Sequence, residues 1–358
     1  MGDSLTNTCP LPFGLAFFGL FLVTCLPAHA ESTLDEEEAS IWAFGTLQVE
    51  NDLFANIANT DRHYTNGVQA AVLSEEITLD GWLHDIATAR TPFGGSAATP
   101  VTHRIGFAIG HTIFTPDDTE AVTTLANDRP YAAWAHVTLT LQTLWEINDQ
   151  SSFQDQWKFD VGIVGPAAGG EFVQNNWHKL IGADEANGWD NQLNNEIGLN
   201  VTFERAWNSP DLAPSQLGGY EVDAIPYVVA ALGNVQTYLG AGGIVRFGPD
   251  LPADFGPTRI YPGVGGSEWF APTTGSIDWY LFAGLESRLV GRDIFLDGNL
   301  FSDSHSVDKR HLVSDLRLGA VVIWKRARLS FTHVYRTREY SSQPKPDQFG
   351  SMTLGFAF

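Results

Sequence analysis

Cysteine is almost missing from this chain of 358 residues, which contains only Cys9 and Cys25. Both lie in an amino-terminal apolar stretch. The remainder has no cysteine, which excludes a disulfide framework, a thiolate nucleophile and a Cys-zinc site there. Basic side chains are scarce as well, 20 Lys and Arg against 42 Asp and Glu, for a formal charge of −22. That sign argues against nucleic acid, because phosphate backbones need a basic footprint. Past residue 31 no apolar run approaches the roughly 20 residues of a membrane helix, and no Gly-x-Ser-x-Gly nucleophile elbow occurs. What the chain has in quantity is glycine, 35 residues, and aromatics, including 11 Trp and 23 Phe. A disordered polypeptide is polar and poor in aromatics, so a folded chain is expected.

The apolar run over residues 11–26 is followed by Pro27-Ala28-His29-Ala30. Ala28-x-Ala30 has the small-residue spacing of a signal-peptide cleavage site, so residues 1–30 are expected to leave on export. Asp3, with no Lys or Arg, makes the n-region atypical. Lipidation at Cys25 is disfavoured because Leu22-Val23-Thr24 lacks the small residue that normally precedes a lipidated cysteine. Residues 31–40, with Asp35-Glu36-Glu37-Glu38, read as a solvated acidic lead-in, and residues 41–358 as a single domain.

Within that domain the recurring pattern is alternation with period two, in blocks of about ten residues. Trp157, Phe159, Val161 and Ile163 share a face opposite Lys158, Asp160 and Gly162. Leu329, Phe331 and Tyr335 oppose Arg328, Ser330 and Thr332, and Met352, Leu354, Phe356 and Phe358 oppose Thr353, Gly355 and Ala357. Strands are expected near 41–50, 65–74, 104–112, 133–147, 156–165, 195–206, 222–233, 236–247, 276–290, 309–324, 327–338 and 349–358, with tight connections at Gly233-Asn234 and Lys325-Arg326. Twelve is an even number, and one apolar face opposite a polar or small one is the dyad of a membrane barrel. The expected fold is all-β, a twelve-stranded antiparallel transmembrane β-barrel in the outer membrane. Phe358, an aromatic ending the final strand, resembles the signal by which such barrels meet their assembly machinery. With the amino terminus in the periplasm, loops 51–64, 113–132 and 166–194 fall together at the outer end.

Those three loops concentrate the chemically suggestive residues. The first holds Glu50-Asn51-Asp52-Leu53-Phe54 and Asp61-Arg62-His63-Tyr64-Thr65-Asn66-Gly67. The second holds Asn127-Asp128-Arg129-Pro130-Tyr131-Ala132-Ala133-Trp134, in which Tyr131 and Trp134 read as an interfacial aromatic belt. The third runs from Gly165-Pro166 through Glu171-Phe172-Val173-Gln174-Asn175-Asn176-Trp177-His178-Lys179 to Gly182. Phe172, Asn176 and Lys179 at turn spacing, with Gly182 as C-cap, predict a short helix in this outer loop. His103, His111, His136 and His311 stand singly in or beside strands and suggest structural or luminal duty. Asp303 and His305 read as solvated loop residues, and His63 has no assigned role.

Taken in order, Asn51-Asp52, Tyr64-Thr65-Asn66-Gly67, Asp128-Arg129-Pro130-Tyr131, Gly165-Pro166, Val173-Gln174-Asn175, His178, Gly188-Trp189-Asp190-Asn191-Gln192-Leu193 and Leu296-Asp297-Gly298-Asn299 resemble the DUF2219 family of outer-membrane proteins, the LpxR-type lipid A 3′-O-deacylases. The resemblance runs from Glu50 to Phe358. It implies a calcium-dependent ester hydrolase at the outer rim, with lipid A of lipopolysaccharide as substrate. It also implies site residues Asn51, Asp52, Thr65 and His178, with Asp184 at the family's acidic position. Asp52 and Asp184 would supply hard oxygen ligands suited to Ca²⁺, and His178 a general base. For the lipid A phosphates the chain offers Arg129 and Lys179, since residues 113–126 contain no Lys or Arg. An outer-membrane phospholipase, and a non-enzymatic pore or structural barrel, are the competing readings.

Overall fold

The computed structural model describes residues 42–55, 63–89, 99–148, 151–182, 184–209, 212, 216–257, 269–270, 272–273 and 277–358. The expected signal peptide and acidic lead-in, with Asp61 and Arg62 of the first motif, lie outside the described residues. The described residues form twelve long strands in succession: β1 (Trp42–Asn51), β2 (His63–Ser74), β3 (Thr99–Thr115), β4 (Ala132–Asn148), β5 (Ser151–Val164), β6 (Glu196–Asn208), β7 (Tyr220–Gly233), β8 (Gln236–Gly248), β9 (Ile277–Asp293), β10 (Leu312–Trp324), β11 (Ala327–Arg336) and β12 (Asp347–Ala357). Each pairs antiparallel with its neighbour in sequence, a two-residue strand Gln216–Leu217 adding only to β7. β6 pairs with β7 from Asn200↔Gly233 to Ala206↔Tyr227, and β1 pairs with β12 from Phe44↔Ala357 to Asn51↔Gly350. The second seam is extended by Phe358, whose N–H donates to the Ala43 carbonyl at 2.8 Å. The sheet therefore closes as a twelve-stranded barrel without an open edge, the condition for a sheet to cross a bilayer. Both expected tight connections occur, and Lys325 takes a left-handed φ of 54° in the second.

The alternation settles which face is which. Leu329, Phe331, Tyr335, Met352, Leu354 and Phe356 are exposed on the outer surface, while Arg328, Ser330, Thr332 and Thr353 between them are buried. Phe107, Ile109, Val137, Val161, Leu281, Leu285 and Leu289 continue the outward apolar band. The core is thus the lumen, and it is ionic. Glu286 meets Arg288 and Arg317 at 3.4 and 2.8 Å, and Arg288 meets Asp315 at 3.2 Å. Asp315 takes two hydrogen bonds from Arg336, at 2.9 and 3.0 Å. Arg336 and Arg129 reach Glu339 at 3.6 and 3.2 Å. The chain of charges crosses the lumen from β9–β11 to the segment entering β4. On the opposite wall Arg205 makes a two-pronged bond to Asp155, both arms at 2.6 Å. Toward the terminal end Arg246 ties Asp223 to Asp254.

Glu339, in the 337–346 loop, shows the balance of forces: burial raises its carboxyl, but Arg336, Arg129 and Arg288 together hold it below the usual range. The outer mouth is closed by apolar side chains. Phe295, from the short helix Ile294–Asp297, stacks on Phe114 at 4.0 Å amid buried Tyr64, Trp134, Val235 and Phe349. The Leu296-Asp297-Gly298-Asn299 motif serves this plug. Gly298 turns at φ 78°, and Asn299 exchanges hydrogen bonds with the Asn194 backbone at 2.9 Å in both directions. Helix α1 (Gly81–Ala87), which the sequence pattern does not announce, lies at the other end, where the Ala87 carbonyl accepts from the Thr143 hydroxyl at 3.1 Å. Tyr131 and Trp134 depart from the aromatic-belt expectation because both are buried. Trp134 points inward and stacks on His136 at 4.0 Å.

Removing one member of a buried ionic chain strands the others in a dry interior, typically at a cost of about 3–5 kcal/mol. Arg336→Met, which leaves Asp315 and Glu339 short of a partner, is expected to destabilise the refolded barrel by about 3 kcal/mol in urea titration followed by electrophoretic mobility. Arg326→Met in the exposed turn serves as control, with a shift within about 0.5 kcal/mol.

Candidate functional site on the outer wall

Asn51, Thr65 and the helix that carries His178 fall on the outward side of the wall, at the end away from Trp42 and Phe358. Asn51 ends β1 in the outward register of Leu47 and Val49, and Asp52 opens the short turn that follows. On β3, Thr115 continues the outward register of Phe107, Ile109, His111 and Ile113. Between these strands β2 carries a bulge: Tyr64 pairs with Phe114 and Asn66 with Ile113, leaving Thr65 as the extra residue. His63, two residues before it, adopts φ 62°, rare for a side chain with a Cβ. The bulge turns Tyr64 into the lumen and Thr65 outward, and His63, Tyr64 and Thr65 are all buried. Hydrogen bonds then join the three strands. Asn51 Nδ2 donates to the Thr65 carbonyl at 3.0 Å, and the Thr65 and Thr115 hydroxyls meet at 2.7 Å.

Tyr64 explains the glycine of Tyr64-Thr65-Asn66-Gly67. Its ring turns into the lumen, where its hydroxyl donates to the buried Glu50 carboxylate. A Cβ on residue 67 would lie 2.2 Å from that hydroxyl oxygen. Gly67 therefore makes room for the bond that anchors the inner side of the bulge.

His178 arrives from the loop between β5 and β6. The turn Pro166–Ala168 leads into helix α2 (Gly170–Ile181), which Gly182 ends in the left-handed conformation with its N–H donating to the His178 carbonyl. Helix and C-cap are as expected, but the buried stripe is Gly170, Gln174 and His178, while Phe172, Asn176 and Lys179 face outward. Three ties fasten this stripe to the returning segment. Trp189 Nε1 donates to Gln174 at 3.0 Å, Asn175 exchanges hydrogen bonds with the Ala186 backbone at 3.0 and 3.3 Å, and His178 Nδ1 donates to the Asp184 carbonyl. Val173-Gln174-Asn175 through His178 and Gly188-Trp189 are thus two halves of one clasp. The clasp lies over the outside of the barrel: Ala168, Ala186, Trp189 and Tyr131 bury Ile113 and Ala133, with Ala135 and Ile163 packed beside them. His111 Nε2 donates to the Ala168 carbonyl at 2.9 Å from the same outer surface. Burial, with Asp118 and Asp128 nearby, pushes the Tyr131 phenol up to about 12, so it stays a neutral donor to the Thr119 carbonyl.

The two basic assignments separate. Arg129 is 1% exposed, stacked on Phe114 at 4.7 Å and paired with Glu339. Its charge is engaged inside the barrel, so it is corrected from a phosphate contact to a structural cation. Lys179 is exposed and pairs with Glu185 at 3.4 Å. Arg338 and Lys345, both exposed in the 337–346 loop beside β12 and hence next to β1, are outer-rim cations that sequence reasoning misses. His63, unassigned from the sequence, gains a role here. It bridges Asp347 through Nδ1 at 2.5 Å and the Tyr340 hydroxyl through Nε2 at 2.9 Å, and that hydroxyl donates to Asp128 at 2.5 Å. His305 likewise donates to the Asp128 carbonyl at 2.7 Å, a structural tie.

Metal-binding capacity rests on oxygen. Among the described residues no group of three His, Cys, Asp or Glu is gathered around one point. Asp52 is buried at the base of its turn, the Thr65 and Thr115 hydroxyls lie on the same outer face, and the Asp184 carboxylate is exposed beyond the helix. Oxygen donors of these kinds suit a hard cation that also accepts carbonyl and water ligands, as Ca²⁺ does, and the described residues do not gather Asp52 and Asp184 into such a group. Such donors do not fit zinc, which prefers thiolate or several imidazoles.

Among solved structures, LpxR from Salmonella typhimurium superposes with a TM-score of 0.68 at 22% identity, over 88% of this chain and 100% of that one. The β domain of the Bordetella autotransporter Brka gives 0.45 at 8% identity, over 89% and 100%. The translocator domain of NalP from Neisseria meningitidis gives 0.40 at 10% identity, over 88% of each chain. No curated protein matches in sequence. The family model described as outer membrane protein LpxR matches residues 15–358. The chain therefore belongs to the LpxR family, and it is an outer-membrane β-barrel of that type.

Proposed function

We propose that the protein is a Ca²⁺-dependent lipid A deacylase that hydrolyses the 3′-linked acyloxyacyl ester of lipopolysaccharide in the outer leaflet. The observation that carries the reading is the sidedness of the site: Asn51, Thr115 and helix α2 lie on the lipid side of the wall, where an acyl ester can reach them without entering the lumen. The ionic filling of the lumen weighs against the pore alternative.

In this mechanism His178 is the general base. Its Nδ1–H is committed to the Asp184 carbonyl, which leaves Nε2 as the basic nitrogen of the neutral ring. Nε2 takes a proton from water as the water oxygen attacks the acyl carbon, and the proton then passes to the departing sugar hydroxyl as the ester bond breaks. Asn51, oriented by its bond to the Thr65 carbonyl, positions the imidazole or the water, and Thr65 adds a hydroxyl beside it. Asp52 and Asp184 would hold the Ca²⁺, which when bound polarises the acyl carbonyl and offsets the oxyanion charge. Lys179 contributes a cation to the lipid A phosphates at the membrane surface.

Mass spectrometry of lipid A and phospholipids from cells expressing the protein is expected to show loss of the 3′-acyloxyacyl group. His178→Ala should abolish that change while the barrel keeps its heat-modifiable mobility. A change confined to phospholipids would favour the phospholipase instead. Chelation should stop turnover and added Ca²⁺ restore it; turnover that survives complete chelation would remove the metal from the mechanism. Thr65→Val, which leaves the Thr115 hydroxyl short of its partner, should cost about 1 kcal/mol of stability and lower deacylation roughly tenfold, a transition-state loss of similar size.

A further inference from the structure

Helix α2 displays apolar side chains on the side away from its clasp. Phe172 and Leu180 are 70% and 72% exposed, and Trp177 and Val173 are 49% and 40% exposed. At about 100° per residue these four span an arc of about 140°, with buried Gln174 and His178 outside it and exposed Asn176 within it, its amide donating to the Phe172 carbonyl at 2.6 Å. The helix cannot stand away from the wall to hide that face in a loop. Gly170 seats it so closely that a Cβ there would lie 2.5 Å from the Ala133 methyl and 2.4 Å from the Trp189 ring. The covered wall residues, Ile113 and Ala133, belong to the same outward rows as exposed Ile109 and Val137. Neighbouring positions on one strand face are spaced about 7 Å apart, so the helix begins within about two such steps of the lipid-facing band. The exposed apolar face of α2 therefore starts beside the strand rows that carry the lipid-facing band.

We propose that α2 is an interfacial membrane helix whose Phe172, Val173, Trp177 and Leu180 lie among the acyl chains of the outer leaflet. The occupant is lipid because the face adjoins the surface that lipid already covers and continues its apolar character. Lys179, on the flank of this arc, keeps its ammonium at the polar boundary beside Glu185. Immersion fixes the height of His178 on the same helix, at the level where acyl esters join their headgroups. That consequence rests on the hydrolase reading above; the immersion itself does not.

The absence of cysteine beyond Cys25 makes single-cysteine labelling specific. The chain from Glu31 onward, refolded into phosphatidylcholine vesicles, would carry an environment-sensitive fluorophore at Leu180→Cys. Val161→Cys serves as a lipid-facing reference and Glu120→Cys as a water-facing one. The expected result is blue-shifted emission at position 180, strong quenching by doxyl groups on the acyl chains and protection from aqueous iodide, as at position 161. Emission and iodide quenching like those at position 120 would overturn the proposal. So would shielding from both quenchers, which would mean a second copy of the chain covers the face. Phe172→Asp with Leu180→Asp is expected to reduce lipid A deacylation in membranes at least tenfold with the barrel intact. If the unsubstituted protein deacylates nothing, the hydrolase reading fails while the quenching result still decides the position of the helix.

Discussion

One run of buried charges, Glu286–Arg288–Asp315–Arg336–Glu339–Arg129, holds the molecule in register from one wall of the lumen to the other. A barrel in lipid inverts the usual roles of surface and interior, since its outside must be apolar and its polar groups must satisfy one another within. Stripping water from so many ions is costly, and the cost is offset only when each guanidinium finds carboxylates in good geometry. The two-pronged bonds of Arg336 to Asp315 and of Arg205 to Asp155 meet that demand. With Phe295 stacked on Phe114 at the outer mouth, ion pairs and apolar side chains fill much of the lumen.

Under the hydrolase reading, a lumen filled in this way leaves the outer wall as the surface on which a membrane lipid would meet the site. At the rim the outward rows change character, from Ile109 through His111 to Thr115 on β3 and from Val49 to Asn51 on β1. The loop that carries α2 covers this face at His111, Ile113 and Ala133. That loop is closed on itself by Gln174 to Trp189 and Asn175 to Ala186 and packed on the wall through Ala168, Ala186 and Trp189, so His178 is delivered on a fastened helix. The inner side of the same bulge is fastened by Tyr64 to Glu50 and by His63 to Asp347 and Tyr340. The lumen thus supports the outer face through a single strained segment of β2.

Much of the fold is legible in the sequence because a barrel strand repeats one simple rule. All twelve expected strands occur, and the faces assigned at Arg328–Thr332 and Met352–Phe358 are the observed ones. Where the rule is broken, reading from the sequence falters. Thr65 sits at a bulge whose presence depends on the left-handed turn at His63, and no composition signal marks either. Trp134 looks like a belt residue, but one position along β4 decides between lipid and lumen, and it falls on the lumen side with His136. Arg129 looks available because its partner Glu339 is 210 residues away in sequence. The loop helix is recognisable from its C-capping glycine. Its buried stripe is not, because Gly170, Gln174 and His178 are bound by pairing with a later segment and not by being apolar.

The burial of Arg129 changes how a phosphorylated lipid would be recognised under the hydrolase reading. A guanidinium already shared between Phe114 and Glu339 cannot turn to a phosphate without leaving Glu339 buried and short of its partner, at a cost of several kcal/mol. Exposed Arg338 and Lys345 carry no such penalty, and their loop leads into β12, the strand that pairs with β1 through Asn51↔Gly350. Lys179 stands on the other side, on the helix that brings His178. Exposed cations thus stand on the loop before β12 and on the loop between β5 and β6, whereas residues 113–126 contain no Lys or Arg. Under the hydrolase reading proposed above, a headgroup bearing phosphate at two separated points would meet cations on both of these segments.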